Sequence, residues 1–258
     1  MQKYEKKKRR ITINGIFYAV ISSMSFGFSP LFSLALIAAG LTDFDILSYR
    51  WLIAGLVLMI YAFAKGKTLR LNSFDEAWKI LLLSALRAIT SVTLLIGYVN
   101  ISSGIAATLN FMYPVIVTLT MVIFFGERRS VIDYFAILAS IFGVYLLASG
   151  DSIVAHGGNT KLGLICSLIS AFSFAAYYIV MKQVKADKIE VVKFTTWIMM
   201  LSAVYFILCA FIFNGKLTII TDVRSWLNAL GLGLWATMVS NITGITAVCN
   251  YECQKRYS

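Results

Sequence analysis

Long apolar runs with almost no charge recur along this 258-residue chain, and they constrain its fold more than any other feature. The stretch from Val191 to Phe213, VVKFTTWIMMLSAVYFILCAFIF, carries a single charged side chain. About 18–20 such residues in a helix are enough to cross the hydrocarbon core of a bilayer. Hydrocarbon offers backbone N–H and C=O groups no partner, so only helices and closed barrels span it. A barrel would be written in short alternating segments, and these runs do not alternate. A soluble domain of this length has no interior for a sequence that is 59% hydrophobic and only 14% charged. The expected fold is therefore all-α, a polytopic helical membrane protein with the lipid bilayer as its first partner.

Eight spans are expected, at about 13–38, 44–64, 78–99, 104–125, 131–149, 162–181, 191–213 and 226–248. The basic N-terminus, MQKYEKKKRR, resembles the start of a signal peptide, but the apolar run behind it is too long for a cleaved one. It reads instead as the flank of a first transmembrane helix. The net charge of +11 does not point to nucleic acid, because the basic residues sit between the hydrophobic runs. With the N-terminus in the cytoplasm, eighteen lysines and arginines fall on the cytoplasmic side. Only four, Arg50, Lys161, Lys216 and Arg224, fall on the other. That bias orients the chain. It leaves Arg87 as the basic residue expected deep within a span.

An internal repeat is expected as well. An offset of 148 residues lays Gly15–Phe26 on Gly163–Phe174, Ala62-Phe63 on Ala210-Phe211, and Trp78 on Trp226. The first copy, 11–149, contains five spans, so a second copy starts from the opposite face: an inverted-topology repeat, a plan common among secondary transporters. The second copy, 162–248, reaches only three spans and is followed by a polar tail, 249–258. The sequence thus reads as two inverted repeats, five spans plus an incomplete three. Truncation is one expectation for the short second copy, and an eight-span variant is the other.

The chain has two prolines, both inside apolar runs. Pro114 in TLNFMYPVIVTL lacks the N–H that would pair with the carbonyl of Asn110. Asn110 and Tyr113 add an amide and a phenol at the same level, so a kinked helix with a polar notch is expected. It serves either substrate contact and gating or a kink satisfied by neighbouring helices. Pro30 frees the carbonyl of Phe26 in the same way, near Ser25 and Ser29. Arg87 lies nine residues beyond Trp78, roughly 13 Å into the membrane. A central arginine costs at least about 2.5 kcal/mol to insert, so it either snorkels to the surface or faces the bundle. Ser84, Arg87, Ser91 and Tyr98 share one helix face. A guanidinium among hydroxyls suits an amphipathic or anionic metabolite. Trp235 is its counterpart in the repeat. Candidate path residues are Arg87, Ser91, Tyr98, Asn110, Tyr113, Pro114 and Trp235, with Ser173 and Tyr177 from the sixth span. Structural or gating candidates are Pro30, Arg50, Gly126 and Glu127.

Other chemistry is not expected. All twelve carboxylates lie in loops or at helix ends, which disfavours proton coupling through a buried acid. Glu127, in GERRS, reads first as a partner for Arg128 or Arg129. The single histidine, His156, sits in a polar loop and reads as solvated. Cys166 and Cys209 read as packing residues, and the CNYEC pair, Cys249 and Cys253, lacks a zinc spacing. No nucleophile, acid or phosphate-binding motif is apparent, so neither a catalytic residue, a cofactor nor a metal is expected.

Taken together, FSPLF in the first span, LSYRWLIAGL opening the second and LRAITSVTLLIGYVNI in the third are similar to EamA-type carriers of the drug/metabolite transporter superfamily. The fourth, SSGIAATLNFMYP ending in FFGERRS, extends the resemblance. Pro114 and Gly126-Glu127 fall on the family's fourth-span pattern, and Arg50 on an arginine early in the second span. The resemblance implies ten helices in two inverted five-helix repeats. It implies a secondary transporter of small metabolites, amino-acid-like or otherwise amphipathic, working by alternating access and often exporting. The alternative is a truncated, transport-incompetent membrane protein derived from such a carrier, since the family's second proline-and-glutamate helix has no counterpart here. The expected partners are a small-molecule substrate, the bilayer and, as an open alternative, a second copy of the chain in a homodimer. The expected location is the bacterial inner membrane.

Overall fold

The structure, a computed structural model, describes residues 17–71, 73–126, 158–186 and 189–247, with isolated positions at 15, 135, 138, 139, 142, 143 and 146. Every element among the described residues is helical. Seven helices are long and apolar enough to cross a membrane. They are α1 (Phe17–Ala38), α2 (Asp43–Ala64), α3 (Phe74–Asn100), α4 (Ser103–Phe125), α5 (Thr160–Gln183), α6 (Val191–Asn214) and α7 (Val223–Ala247). Each begins and ends within a few residues of an expected span. The remaining expected span, 131–149, lies outside the described residues apart from isolated positions, as do Glu127, His156, Cys249, Cys253 and the tail 249–258.

The chain divides into two compact units. Unit A comprises 1–81 and 185–258, and unit B comprises 82–184. The division cuts across the two expected repeats, since each unit draws helices from both. Repeats are a property of sequence and units of packing, and an apolar helix is buried by whichever neighbour covers its face.

In unit A, α2 packs chiefly against α6 and the middle of α7. The buried face of α2 includes Leu47, Trp51, Ala54, Leu58 and Ala62, a helical spacing. On α6, which packs against it, Phe194, Ile198, Phe206 and Ala210 are buried. The start of α2 is fixed by a capping box: Thr42 Oγ1 accepts from Asp45 N–H, and Asp45 Oδ2 accepts from Thr42 N–H, both at 3.3 Å. Asp45 Oδ1 also accepts the Thr218 N–H at 3.1 Å. In α1, the break falls at Phe28, next to Pro30, and helix resumes over Ser29–Ala38. In α7, the segment Gly231–Val239 widens into a π-helix, with the Thr237 hydroxyl donating to the carbonyl of Leu232, five residues back, at 2.8 Å.

One expectation is corrected here. Arg50, counted above with the outer-side charges although the expected span 44–64 contains it, is buried within α2 and is 4% exposed. Arg87 is therefore not the lone arginine buried within a span. Arg50 donates from Nε to Thr237 Oγ1 at 2.7 Å, and its guanidinium stands 5.8 Å from the rings of Phe26 and Trp51. The expected span, starting one residue later than the observed helix, already put Arg50 about two helical turns in; its burial is what the charge count did not anticipate. Counting charges at the edge of an apolar run assigns it to the flank instead.

In unit B, α3 and α5 approach closely through small residues. A Cβ at Gly97 would collide with Ser167 Oγ, and one at Gly163 would come within 2.6 Å of Ile101 Cγ2. Asn159 caps α5 by accepting from Leu162 N–H at 3.2 Å, and its own N–H is received by Asn100 Oδ1 at 3.0 Å. Both halves of α4 pack on α5.

Candidate functional site

The α4 helix is two pieces, Ser103–Asn110 and Tyr113–Phe125, joined through Phe111 and Met112, so the chain bends where Asn110 and Pro114 call for it. The polar side of the bend faces α5. Asn110 is fully buried, and its Nδ2 donates to Ser170 Oγ at 2.9 Å. Its Oδ1 has no hydrogen-bond partner among the described residues. The Ser170 hydroxyl in turn donates to the Ser167 carbonyl at 2.7 Å. Tyr113, half-buried, stacks on Tyr178 with ring centroids 5.4 Å apart and meets Phe174 at 4.3 Å. Pro114 itself is exposed, and Gly126 ends the helix in a left-handed conformation, φ 63°, that glycine adopts without strain.

The other wall of the cluster comes from α3. Ser84, Arg87, Ser91 and Tyr98 are all buried, as their spacing on one face requires. Arg87 is 3% exposed, so it does not snorkel. Its guanidinium lies 4.3 Å from the Phe174 ring centre and 5.6 Å from that of Tyr177. The quadrupole of the rings gives the cation an electrostatic partner that water would otherwise supply, worth about 2 kcal/mol when desolvated. Ser91 turns back on its own helix, donating to the Arg87 carbonyl at 3.0 Å, and Ser173 donates to the Leu86 carbonyl at 2.8 Å.

Within unit B the fold thus gathers Arg87, Asn110, Tyr113, Ser173 and Tyr177 around one stretch of α5. Trp235 belongs to unit A, where it is 53% exposed on the π-helical segment. Pro30 is half-buried beside the fully buried Ser29, and Arg50 is held by Thr237. Glu127 lies outside the described residues. Sequence reasoning missed Ser170, Phe174 and Tyr178. The signal was present: Ser170, Ser173, Phe174, Tyr177 and Tyr178 follow the i, i+3, i+4, i+7, i+8 pattern of one helix face. Against so apolar a background, however, that face does not stand out. The chemistry on offer is a cation, an amide and hydroxyls framed by aromatic rings. It can bind and orient an amphipathic molecule. Among the described residues no cluster of histidine, cysteine, aspartate or glutamate is fit to hold a metal.

The profile of the EamA-like transporter family matches residues 13–149, more than half of the chain. The chain belongs to the EamA-like transporter family. Among curated EamA-type relatives, the chain is 29% identical to the uncharacterized inner membrane transporter YicL of Salmonella typhimurium over 136 residues. That match covers 50% of this chain and 43% of YicL. It is 31% identical to the uncharacterized transporter YvbV of Bacillus subtilis over 137 residues, covering 52% of this chain and 43% of YvbV. The matched stretch thus spans less than half the length of these relatives. One solved crystal structure shares the fold, with a TM-score of 0.69 at 14% identity over 96% of this chain and 85% of that one. The family and the apolar helices together make this an integral membrane protein.

Proposed function

We propose that this EamA-family chain carries small metabolites across a bacterial inner membrane by alternating access, with its N-terminus in the cytoplasm. The substrate is amphipathic or anionic, amino-acid-like compounds included, and export is the favoured direction. Residues 11–149 and 162–248 act as inverted repeats that rock about a central path. The observation that carries the reading is Arg87, a guanidinium buried within a transmembrane helix and laid against aromatic rings beside Asn110 and Tyr113. An intramembrane arginine is costly to insert, which makes it a candidate for a ligand path. Its planar fork can take a carboxylate in two parallel hydrogen bonds. Asn110, Tyr113, Ser173 and Tyr177 line that path, with Ser91 and Tyr98 along the same face of α3. Pro114 sets the bend, and Pro30, Arg50, Gly126 and Glu127 govern helix geometry and gating.

The reading is tested by comparing metabolite accumulation in cells with and without the gene, then measuring transport of the compounds that differ. Arg87→Ala is expected to abolish transport while leaving the amount of protein in the membrane unchanged. Arg87→Lys restores it only in part, since an ammonium lacks the bidentate fork. Normal transport by the alanine variant removes Arg87 from the mechanism.

A further inference from the structure

The Ser170 hydroxyl has a single proton, and it goes to the Ser167 carbonyl at 2.7 Å. Toward Asn110, 2.9 Å away, Ser170 Oγ can therefore only accept. The amide that meets it must present Nδ2. A half-turn of the side chain would set two oxygens against each other with no proton between them. Oδ1 is left on the opposite edge of the amide, in a residue that is fully buried, and it has no partner among the described residues. A buried acceptor in that state is costly, so it marks a place where a donor is expected. The serines of the cluster do not supply one. Ser91 gives its proton to the Arg87 carbonyl, and Ser173 gives its own to the Leu86 carbonyl. Asn110 meets α5 at Ser170, and the Arg87 guanidinium meets it at Phe174, 4.3 Å from the ring centre. Those positions are one helical turn apart on one face, about 6 Å. Tyr113 packs on the same ring, with centroids 4.3 Å apart. The site thus offers a cationic donor and, about one turn away, a neutral acceptor.

We propose that Asn110 is the specificity-determining residue of this path, accepting a hydrogen bond from an O–H or N–H carried beside the substrate's carboxylate. The substrate class is a 2-hydroxy or 2-amino carboxylate with its carboxylate on Arg87. An unsubstituted or 2-oxo acid brings no donor and leaves Asn110 Oδ1 unmatched, which a buried site penalises more than a missing contact alone. The proposal rests on the reading of Arg87 as the residue that binds the anionic group.

Four compounds of one carbon skeleton test it: 4-methylpentanoate, its 2-hydroxy and 2-oxo derivatives, and leucine. Binding of each to the purified full chain in detergent is measured by isothermal titration calorimetry. The 2-hydroxy acid and leucine are expected to bind about tenfold more tightly than the other two, the worth of one hydrogen bond to a buried acceptor. This comparison in the parent chain needs no variant. Ser170→Ala removes the group that fixes the amide, so Asn110 can turn Nδ2 toward the ligand, and the 2-oxo acid should then close most of the gap. Asn110→Leu should bring all four compounds within about twofold of one another. Arg87→Ala should weaken all four alike, which tests the anion site separately. Equal binding of the four by the parent chain, as a fixed water at Asn110 Oδ1 would give, overturns the role of Asn110, and so does discrimination that survives Asn110→Leu. Binding of none of the four, or binding that Arg87→Ala leaves unchanged, overturns the reading of Arg87 as well.

Discussion

Replacing Lys193 with methionine is expected to destabilise the protein by about 3–5 kcal/mol, the cost of leaving one member of a buried ion pair behind. The structure supplies the reason. Lys193 Nζ lies 2.6 Å from Glu76 Oε1, and the two side chains are only 7% and 11% exposed. With so little of either side chain exposed, water replaces the lost ammonium only in part. Methionine retains the volume of the lysine stem, so packing is nearly conserved and the loss is electrostatic. Replacing both residues with methionine removes the stranded charge and should return the protein to within about 1 kcal/mol of the parent, because two apolar chains there carry no desolvation cost. The contrasting pair is Lys67–Glu190, whose side chains are 34% and 44% exposed. Lys67→Met should cost no more than about 1 kcal/mol, since water screens that pair already. Unfolding free energies in mixed micelles, measured for the two single variants, the double variant and Lys67→Met, complete the comparison. A loss below about 1 kcal/mol for Lys193→Met, or a double variant as unstable as the sum of its singles, refutes the reasoning.

Two further outcomes follow from close contacts. Gly97→Ala should destabilise unit B by about 1–3 kcal/mol, because its Cβ meets Ser167 Oγ on the facing helix, and Ser167→Gly in the same chain should recover most of that loss. A lack of rescue in the same unfolding assay argues against the close approach of α3 and α5. Thr237→Val keeps the shape but removes one acceptor of the Arg50 guanidinium, the one at its Nε, and should cost about 1.5–3 kcal/mol. An unchanged unfolding free energy means that this bond does not hold Arg50.

Several elements were legible before any coordinates. The helix over Phe74–Asn100 follows from its hydropathy, and the burial of Ser84, Arg87, Ser91 and Tyr98 follows from their spacing. The bend in α4 follows from Pro114, whose missing N–H is a local fact. Arg50 was not legible in this way. Its position near the start of an apolar run is the same for a solvated arginine as for a buried one, and the difference is made by the rings of Phe26 and Trp51 and by Thr237, 187 residues away. Phe174 and Tyr178 were obscured for a related reason: most positions of α5 are apolar, so the face that carries them does not contrast with the rest of the helix.

By itself, the order of residues dictated helices, their lengths, their membrane setting and the point at which one of them bends. Those properties depend on backbone hydrogen bonding and transfer free energy, which act residue by residue along the chain. Tertiary structure alone decided that Arg87 rests on Phe174 and that Asn110 reaches Ser170, 60 positions on. It also decided that Lys193 finds Glu76 and that the compact units cut across the repeats expected from the sequence. Lipid is as apolar as leucine and gives one helix face no preference over another. Partners are therefore chosen by close packing and by the few polar groups that must be satisfied, and those choices exist only once the helices have met.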